Sequence, residues 1–598
     1  MTPILKALTF QGDPGARELV DAIEHFKQKD GAIDKSAPTA YLDPEGLAAV
    51  SKDGKFRISL YKALLFLHVQ SGIKSGALNL EHSYKYRPLD DYLIDRARWQ
   101  HDKRQLIERA GLEAFVDPRK TLKGLDEALY QQYLTTNENI AAGQNPHIKF
   151  KKNGGFTLST PKQEERDTEP LQQYFPERRF VPLVEVLATV NRFTHYVEEL
   201  QHPQQRYHHG KPSEAAIYAG VIGIGCAIGL RRMMRISHGV TEAELEHTVN
   251  WHFTLDGLQA GSDRIVRFTD RLELPNLARR LPDQLHTSSD GQKFEVRVDS
   301  LNANYSFKYF GKEQGVAAYT FRDERDLLWY STVFSAAERE SAYVIDGLMH
   351  NEVVKSDIHS TDAFGFSEMV FAVSHLLGFS YAPRFKKLSR QRLYIFKSRM
   401  KLDRSSWKIK PAGYADDEIV IQQWDEILRM IATIKLKEVT ASDLFRRLNS
   451  YSKQHALYRA LKAFGQIPKS LFILQVIDDP VLRQAIEKQM DRIEHVHRFT
   501  RAVSVGNPRE FLEAEKEDQE IAEACKRLIK NCIICWNYLY LSQKLEEIKD
   551  AASRQAFLEA VAHGSAAAWR HLNLLGEYDF SEERLQDSVG IRPPKFAD

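Results

Sequence analysis

His286-Thr-Ser-Ser-Asp-Gly-Gln292, Ser356-Asp-Ile-His-Ser-Thr-Asp362 and Asp491-Arg-Ile-Glu-His495 are the three most informative stretches of the chain. The first two are short β-prone segments carrying Asp290 and Asp362, and the third places Glu494 inside a long helical pattern. Taken singly, each acid has an ordinary reading. Asp290 precedes Gly291, and Asp-Gly is a common turn pair. Asp362 competes with Asp357 as a solvated residue or as a cap for a helix predicted over 366–377. Glu494 lies among Glu487, Asp491 and Glu515, as a carboxylate on a wet helix face would.

The surroundings of these acids favour a mixed α/β core. From about 284, Phe294-Glu-Val-Arg-Val298, Tyr305-Ser-Phe-Lys-Tyr309 and Val316-Ala-Ala-Tyr-Thr-Phe321 read as strands. A helix is predicted over 334–349, then the stretch ending at Asp362, then a helix Phe366–Leu377 stopped by Gly378. Acids presented from strand, strand and helix in that order are the arrangement of an RNase H-like core. The 72 residues between the two aspartates suit three strands and a helix. The 132 residues from Asp362 to Glu494 exceed a minimal core and read helical between about 400 and 470, which predicts a helical insertion. Carboxylates converging in this way can hold two Mg²⁺ ions for phosphodiester chemistry.

Seven segments are expected along the chain. Residues 1–135 are expected to form a helical domain that is a candidate for DNA contact; 136–180, rich in Pro and Gly, a linker; and 181–283 a helical scaffold. The core's first part occupies 284–400, the helical insertion 401–470, the core's last part with Glu494 471–545, and a helical C-terminal region 546–598.

A net charge of +2 over 598 residues leaves DNA affinity to local patches. The strongest runs from Arg384 to Lys410, with eleven Lys or Arg in 27 residues against Asp403 alone, interleaved with Phe385, Tyr394, Phe396 and Trp407. Cations there suit phosphate and aromatics suit bases; a solvated basic face is the bland alternative. Arg384, Lys386, Lys387, Arg390 and Arg392 are the candidate contacts, and Lys85 and Arg87 in Tyr84-Lys-Tyr-Arg87 repeat the signal more weakly, as does Lys149-Phe-Lys-Lys152. Four cysteines argue for a reducing cytoplasm, and Cys532 and Cys535, flanked by apolar residues, read as core thiols. The uncharged run Ala215–Leu230 is too short to span a membrane, and its glycines have the wrong spacing for a dinucleotide loop, so it is expected to be a buried helix. Tyr207-His-His209 reads as a solvated turn. No signal peptide and no nucleotide-binding loop is expected.

At these residues the chain resembles the Tn3 family of replicative transposases. Ser289-Asp290-Gly291-Gln292, Asp357-Ile-His-Ser-Thr-Asp362 with Gly365, and Glu494-His495 look like its DDE signature. Supporting stretches are His82–Arg87, Lys308-Tyr-Phe-Gly311, Glu338-Arg-Glu340 leading to Asn351, His375-Leu-Leu-Gly378 with Pro383-Arg384, and Gly576–Phe580. The resemblance implies metal ligation and catalysis by Asp290, Asp362 and Glu494, with two Mg²⁺ or substituting Mn²⁺. It implies DNA 3′-end cleavage and strand transfer through a cointegrate, on transposon ends and target DNA, by a homodimer on paired ends in the bacterial cytoplasm. Two departures stand out. The family usually reads Thr-Asp-Thr-His-Gly around the second aspartate, where this chain has Thr361-Asp362-Ala363-Phe364-Gly365, and family members carry a further N-terminal end-recognition region. A catalytically silent, DNA-binding remnant and a nuclease that cuts without joining are the rival readings.

Overall fold

The computed structural model describes all residues except 1, 13, 84–85, 152–154, 162–170, 177–179, 205–210, 281–283, 350–352, 364, 451–454, 587–589, 593, 595 and 597–598. The chain divides into two compact units. One comprises 1–144, 367–378 and 391–475; the other comprises 145–366, 379–390 and 476–598.

The first unit is mainly helical, as the apolar spacing of 57–68 predicts. Its helices include Ile58–Ser75, Pro118–Ala141 and Trp424–Lys435, with a small antiparallel pair, Phe10–Gly12 on Leu78–Leu80. Helix Glu368–Leu377 begins at a Ser367 hydroxyl cap and ends at Gly378 with φ +86°, a left-handed stop that glycine adopts without strain.

The second unit holds the mixed sheet. Its strands are β1 (His286–Val296), β2 (Gln314–Asp323), β3 (Leu328–Ser335), β4 (Ile358–Thr361) and β5 (Ser380–Tyr381). They lie in the order β3-β2-β1-β4-β5, with the first three antiparallel and β4 parallel to both β1 and β5. Helices α1 (Leu255–Asp270), α2 (Pro480–Val503) and α3 (Lys516–Glu547) belong to the same unit. Phe294, Val316, Ala318 and Val333 of the sheet share a buried cluster with Ala522 of α3 and Phe511. Asn531 of α3 ties three elements together. Its amide donates to Ser262 Oγ on α1 at 2.8 Å and to the Leu328 carbonyl at 2.7 Å, and its oxygen accepts the Leu328 N–H at 3.0 Å.

Three expectations need correcting. The 334–349 helix is instead the end of β3, a single turn Glu340–Ala342 and a short helix Val344–Met349. Thr332, Val333 and Phe334 are buried, and a continuously buried strand carries no period-two signature to set it apart from a helix. The predicted strand 305–309 pairs only through Asn304–Tyr305, after which Phe307–Phe310 coils into one helical turn closed by Gly311 at φ +64°. Ala215–Leu230 is buried but is two helices, Glu214–Gly225 and Leu230–Arg235, separated by a turn with Ala227 and Gly229 at positive φ.

The glycines of that run let helices approach. A Cβ on Gly225 would lie 2.7 Å from Ile529 Cδ1 and 2.9 Å from the Cys525 backbone of α3. Cys226, Cys525, Cys532 and Cys535 are all buried and free. Within the stretch read as linker, Ile148–Phe150 and Phe156–Leu158 form an antiparallel hairpin. Tyr207-His-His209 lies outside the described residues, and among those described no helix is long and apolar enough to cross a membrane.

Gly347 seats the short helix against β2, since a Cβ there would come within 2.1 Å of the Phe321 ring. Phe321 is buried and hemmed in by Tyr319, Trp329, Tyr330 and His359, so it cannot swing clear. Gly347→Ala is expected to destabilise this unit by about 1–3 kcal/mol, the usual cost of overpacking, read as a lowered midpoint in denaturant unfolding followed by circular dichroism.

Candidate metal centre and basic cleft

Strands β1 and β4 run in parallel register, His286 beside Ile358 through Ser289 beside Thr361. The next residue on each is an aspartate. Neighbouring strands lie about 4.8 Å apart, so the register alone delivers Asp290 and Asp362 to one edge. The two strands are joined by side chains as well as by the ladder. His359 hydrogen-bonds Thr287 Oγ1 and Ser289 Oγ, each at 2.8 Å, and His286 Nε2 meets Ser360 Oγ at 2.7 Å. Burial pulls the His286 and His359 imidazoles down to about 3, so both are neutral hydrogen-bonding parts rather than charges. Beyond Thr361, Asp362 Oδ1 accepts the Gly365 N–H at 3.2 Å, and Tyr381 OH donates to the Gly365 carbonyl at 2.8 Å. A Cβ at Gly365 would press on Thr361 at 2.7 Å, which accounts for glycine there.

The third carboxylate of the cluster is Glu340, from the turn after β3. Among the described residues, Asp290, Glu340 and Asp362 form a group whose ligand oxygens lie within 4.8 Å of one another. Glu340 Oε1 sits 2.5 Å from where a Gly291 Cβ would be, so only glycine leaves room for it. Lys293 Nζ holds Glu340 Oε1 at 2.6 Å, with both side chains largely buried. Burial, then Glu340, then Asp362 push Asp290 up to about 8, against the opposing Gly291 N–H and Lys293 charge. Burial likewise raises Glu340, although Lys293 pulls it down. Three crowded acidic groups with one held protonated near neutrality form a donor set suited to a hard divalent cation.

Glu494 is exposed on α2 and lies outside that 4.8 Å group. Its helix is nonetheless seated on β1 on either side of it. Ser288 Oγ donates to Gln489 Oε1 at 3.2 Å, and the His497 imidazole, one turn after Glu494, hydrogen-bonds the Asp290 carbonyl. Sequence reasoning quoted Glu340 only as part of a supporting stretch. The available signal was an acid facing a strand glycine next to a candidate ligand, which needs the three-dimensional pairing to be seen. Phe364 lies outside the described residues, while Ala363 is partly buried.

Four of the predicted DNA contacts converge. Arg384, Lys386, Lys387 and Arg390 line a cleft of about 360 Å³ together with Lys151 of the hairpin and Arg483 of α2, against Glu487 as the acidic lining residue. Arg384 Nη1 reaches Glu487 at 3.3 Å, and its backbone N–H donates to the Thr361 carbonyl at 2.8 Å, one residue from Asp362. Arg392 is exposed in the other unit, where Arg87 stacks over Tyr92 with its guanidinium carbon 3.9 Å from the ring centre. Lys85 lies outside the described residues.

Residues 185–578, which include Asp290, Glu340, Asp362 and Glu494, match the family model described as the Tn3 transposase DDE domain. The chain belongs to the Tn3 transposase family. It is 25% identical over 99% of its length to the transposase for transposon Tn1546 of Enterococcus faecium, covering 60% of that protein. It is 28% identical over 96% of its length to the transposase for Tn2501 of Escherichia coli, and 25% identical over 97% to that for gamma-delta of Escherichia coli strain K12, covering 58% of each. The chain thus spans about three-fifths of the curated relatives it matches.

A carboxyl whose pKa is raised on folding binds its proton more tightly in the folded state. Stability from Asp290 therefore falls as pH rises from about 4 toward about 8 and the penalty is complete above that. In chelator, Asp290→Asn is expected to melt at a higher temperature than the parent at pH 8.5, with the gap closing toward pH 5. Thermal melts at both pH values check this, and a gap that widens at low pH would contradict it.

Proposed function

We propose that this chain is the catalytic portion of a replicative transposase that cleaves DNA at transposon 3′ ends and joins those ends to target DNA, leaving a cointegrate. The observation that carries the reading is the convergence of Asp290 and Asp362 where the parallel pairing of β1 and β4 stops, inside a matched DDE domain. The strand order, three antiparallel then two parallel, supports an RNase H-like core. Asp290 and Asp362 would hold Mg²⁺, with Mn²⁺ as a substitute, and Glu494 would be the third ligand. The seating of α2 by Gln489 and His497 supports that role for Glu494. Bound there, the metal supplies Lewis-acid stabilisation of charge developing at the scissile phosphate.

The chain's own groups account for the rest. Gly291 and Lys293 hold Glu340 beside the pair, which keeps a compensated negative charge at the edge of the site. The cations of the cleft neutralise strand phosphates, and the Arg384 N–H links that cleft to the strand bearing Asp362. In cleavage, a water oxygen bonds to phosphorus and the 3′ oxygen leaves as a hydroxyl. In joining, that hydroxyl attacks a target phosphate and the target's own 3′ oxygen leaves. Bonds broken and formed are of the same kind, so no nucleotide cofactor is required. The partners are transposon-end and target DNA, with two copies of the protein on paired ends, in the bacterial cytoplasm and on the nucleoid. One observation favours a binding-only remnant instead, namely Ala363, an apolar residue beside a ligand where the family is polar.

Joining of a pre-nicked, labelled end to plasmid in Mg²⁺ or Mn²⁺ tests both readings. Joined product is expected from the parent chain and is expected to fall at least a hundredfold in Asp290→Ala, Asp362→Ala and Glu494→Gln, with a smaller loss in Glu340→Gln. Loss in Glu340→Gln with Glu494→Gln unaffected would transfer the third ligand to Glu340. DNA binding without nicking or joining would establish the remnant, and nicking without joining the plain nuclease.

A further inference from the structure

The connection from β1 to β2 presents large apolar side chains to solvent. Three of its polar side chains bond back to the rest of the unit, Ser300 and Asn302 half-buried and Asn304 exposed. Asn302 donates to Gln519 Oε1 at 2.9 Å, Asn304 donates to Ser335 Oγ at 3.0 Å, and Ser300 Oγ accepts from Gln519 at 3.3 Å. Ala303 between them enters the buried cluster under α3. The large apolar residues point out. Leu301 is 101% exposed, Phe307 87% and Tyr305 73%. Scattered surface apolar side chains need no explanation, but a contiguous set on an anchored segment marks an interaction surface.

The segment is anchored to the sheet. Asn304 and Tyr305 pair with Gly315 and Gln314, and the Phe310 ring lies 2.4 Å from where a Gly315 Cβ would be, so that glycine admits the ring beneath the turn. Its base reaches the carboxylate centre. Lys293, which holds Glu340, lies 5.5 Å from the centre of the Tyr309 ring, and Lys308 Nζ donates to Tyr309 OH at 2.8 Å. Lys308 and Lys312 flank the outward rings in the sequence, and the Lys308 charge reaches Glu340, whose carboxyl it lowers.

We propose that Tyr305 and Phe307 form a stacking platform for an unpaired nucleotide of the DNA strand next to the scissile phosphate, with Lys308 on its phosphate. The proposal rests on the strand-transferase reading above. Aromatic faces bind bases without regard to sequence, and an adjacent ammonium group suits the backbone. A platform paired to β2, the neighbour of the strand that bears Asp290, would keep a splayed strand in line with the carboxylates, whereas a freely hinged loop would not.

The test uses the full chain in chelator, with a forked duplex carrying 5-iodouracil in its unpaired arm and a blunt duplex of the same sequence. The parent is expected to prefer the fork, and irradiation is expected to cross-link the arm to 301–309. Phe307→Ala and Tyr305→Ala should each lose about tenfold on the fork, as deletion of one stacked base contact predicts, with blunt-duplex affinity unchanged. Both side chains are exposed, so neither change removes core. Phe307→Leu keeps apolar area without a ring face and should lose nearly as much. Equal affinity for fork and blunt DNA, a fork preference retained by Phe307→Leu, or cross-links confined elsewhere would overturn the proposal. So would variants that change only the sedimentation of the free protein, which would assign the patch to a second copy. A fork preference that the variants abolish, in a chain that never nicks DNA with metal, would sustain the platform and refute the transferase reading.

Discussion

Everything at the candidate centre depends on mutual repulsion among Asp290, Glu340 and Asp362 being tolerated in one confined place. Like charges this close cannot all ionise without a cation or a proton to offset them. The fold answers with three devices: a proton on Asp290, the Lys293 ammonium on Glu340, and the Gly365 N–H on Asp362. Each is replaceable, which is what a site that takes up a divalent cation requires. The energy to hold the carboxylates together comes from elsewhere, in the apolar clusters beneath α3 and the Asn531 bonds that join α1, β3 and α3.

Much of the fold was legible because hydrophobic spacing, turn residues and capping groups agree locally. The helix stopped by Gly378 and the strand at 316–321 show this, whereas 294–298 is only the tail of β1, which runs on from His286 through Asp290 and Gly291. The errors have a common physical source. Residues 328–349 are buried almost throughout, so period gives no contrast, and strand and helix read alike. Residues 305–309 carry three exposed aromatic side chains, which imitate a strand's composition without its pairing.

The centre was legible in part for a similar reason. Asp290 and Asp362 stand at the ends of β-prone segments, and motif order selected them from their neighbours. Glu340 was hidden because its proximity arises from Gly291 and Lys293 on another strand, a relation no local pattern encodes. The cleft cations were visible as a charge run, but Lys151, 233 residues before Arg384, and Arg483, 93 residues after Arg390, join them only through folding.

The seam between β1 and β4 carries one further consequence. Its interior is built from Thr287, Ser289, His359 and Ser360 with Tyr319 and His286, each satisfying another's hydrogen bond where most sheets bury hydrocarbon. Removing one member strands its partners, at a cost greater than that of the lost bond. Single replacements there are therefore disfavoured and concerted ones are tolerated. Over long divergence such a seam drifts as a block, so these positions should covary among relatives even where the flanking hydrophobic residues exchange freely.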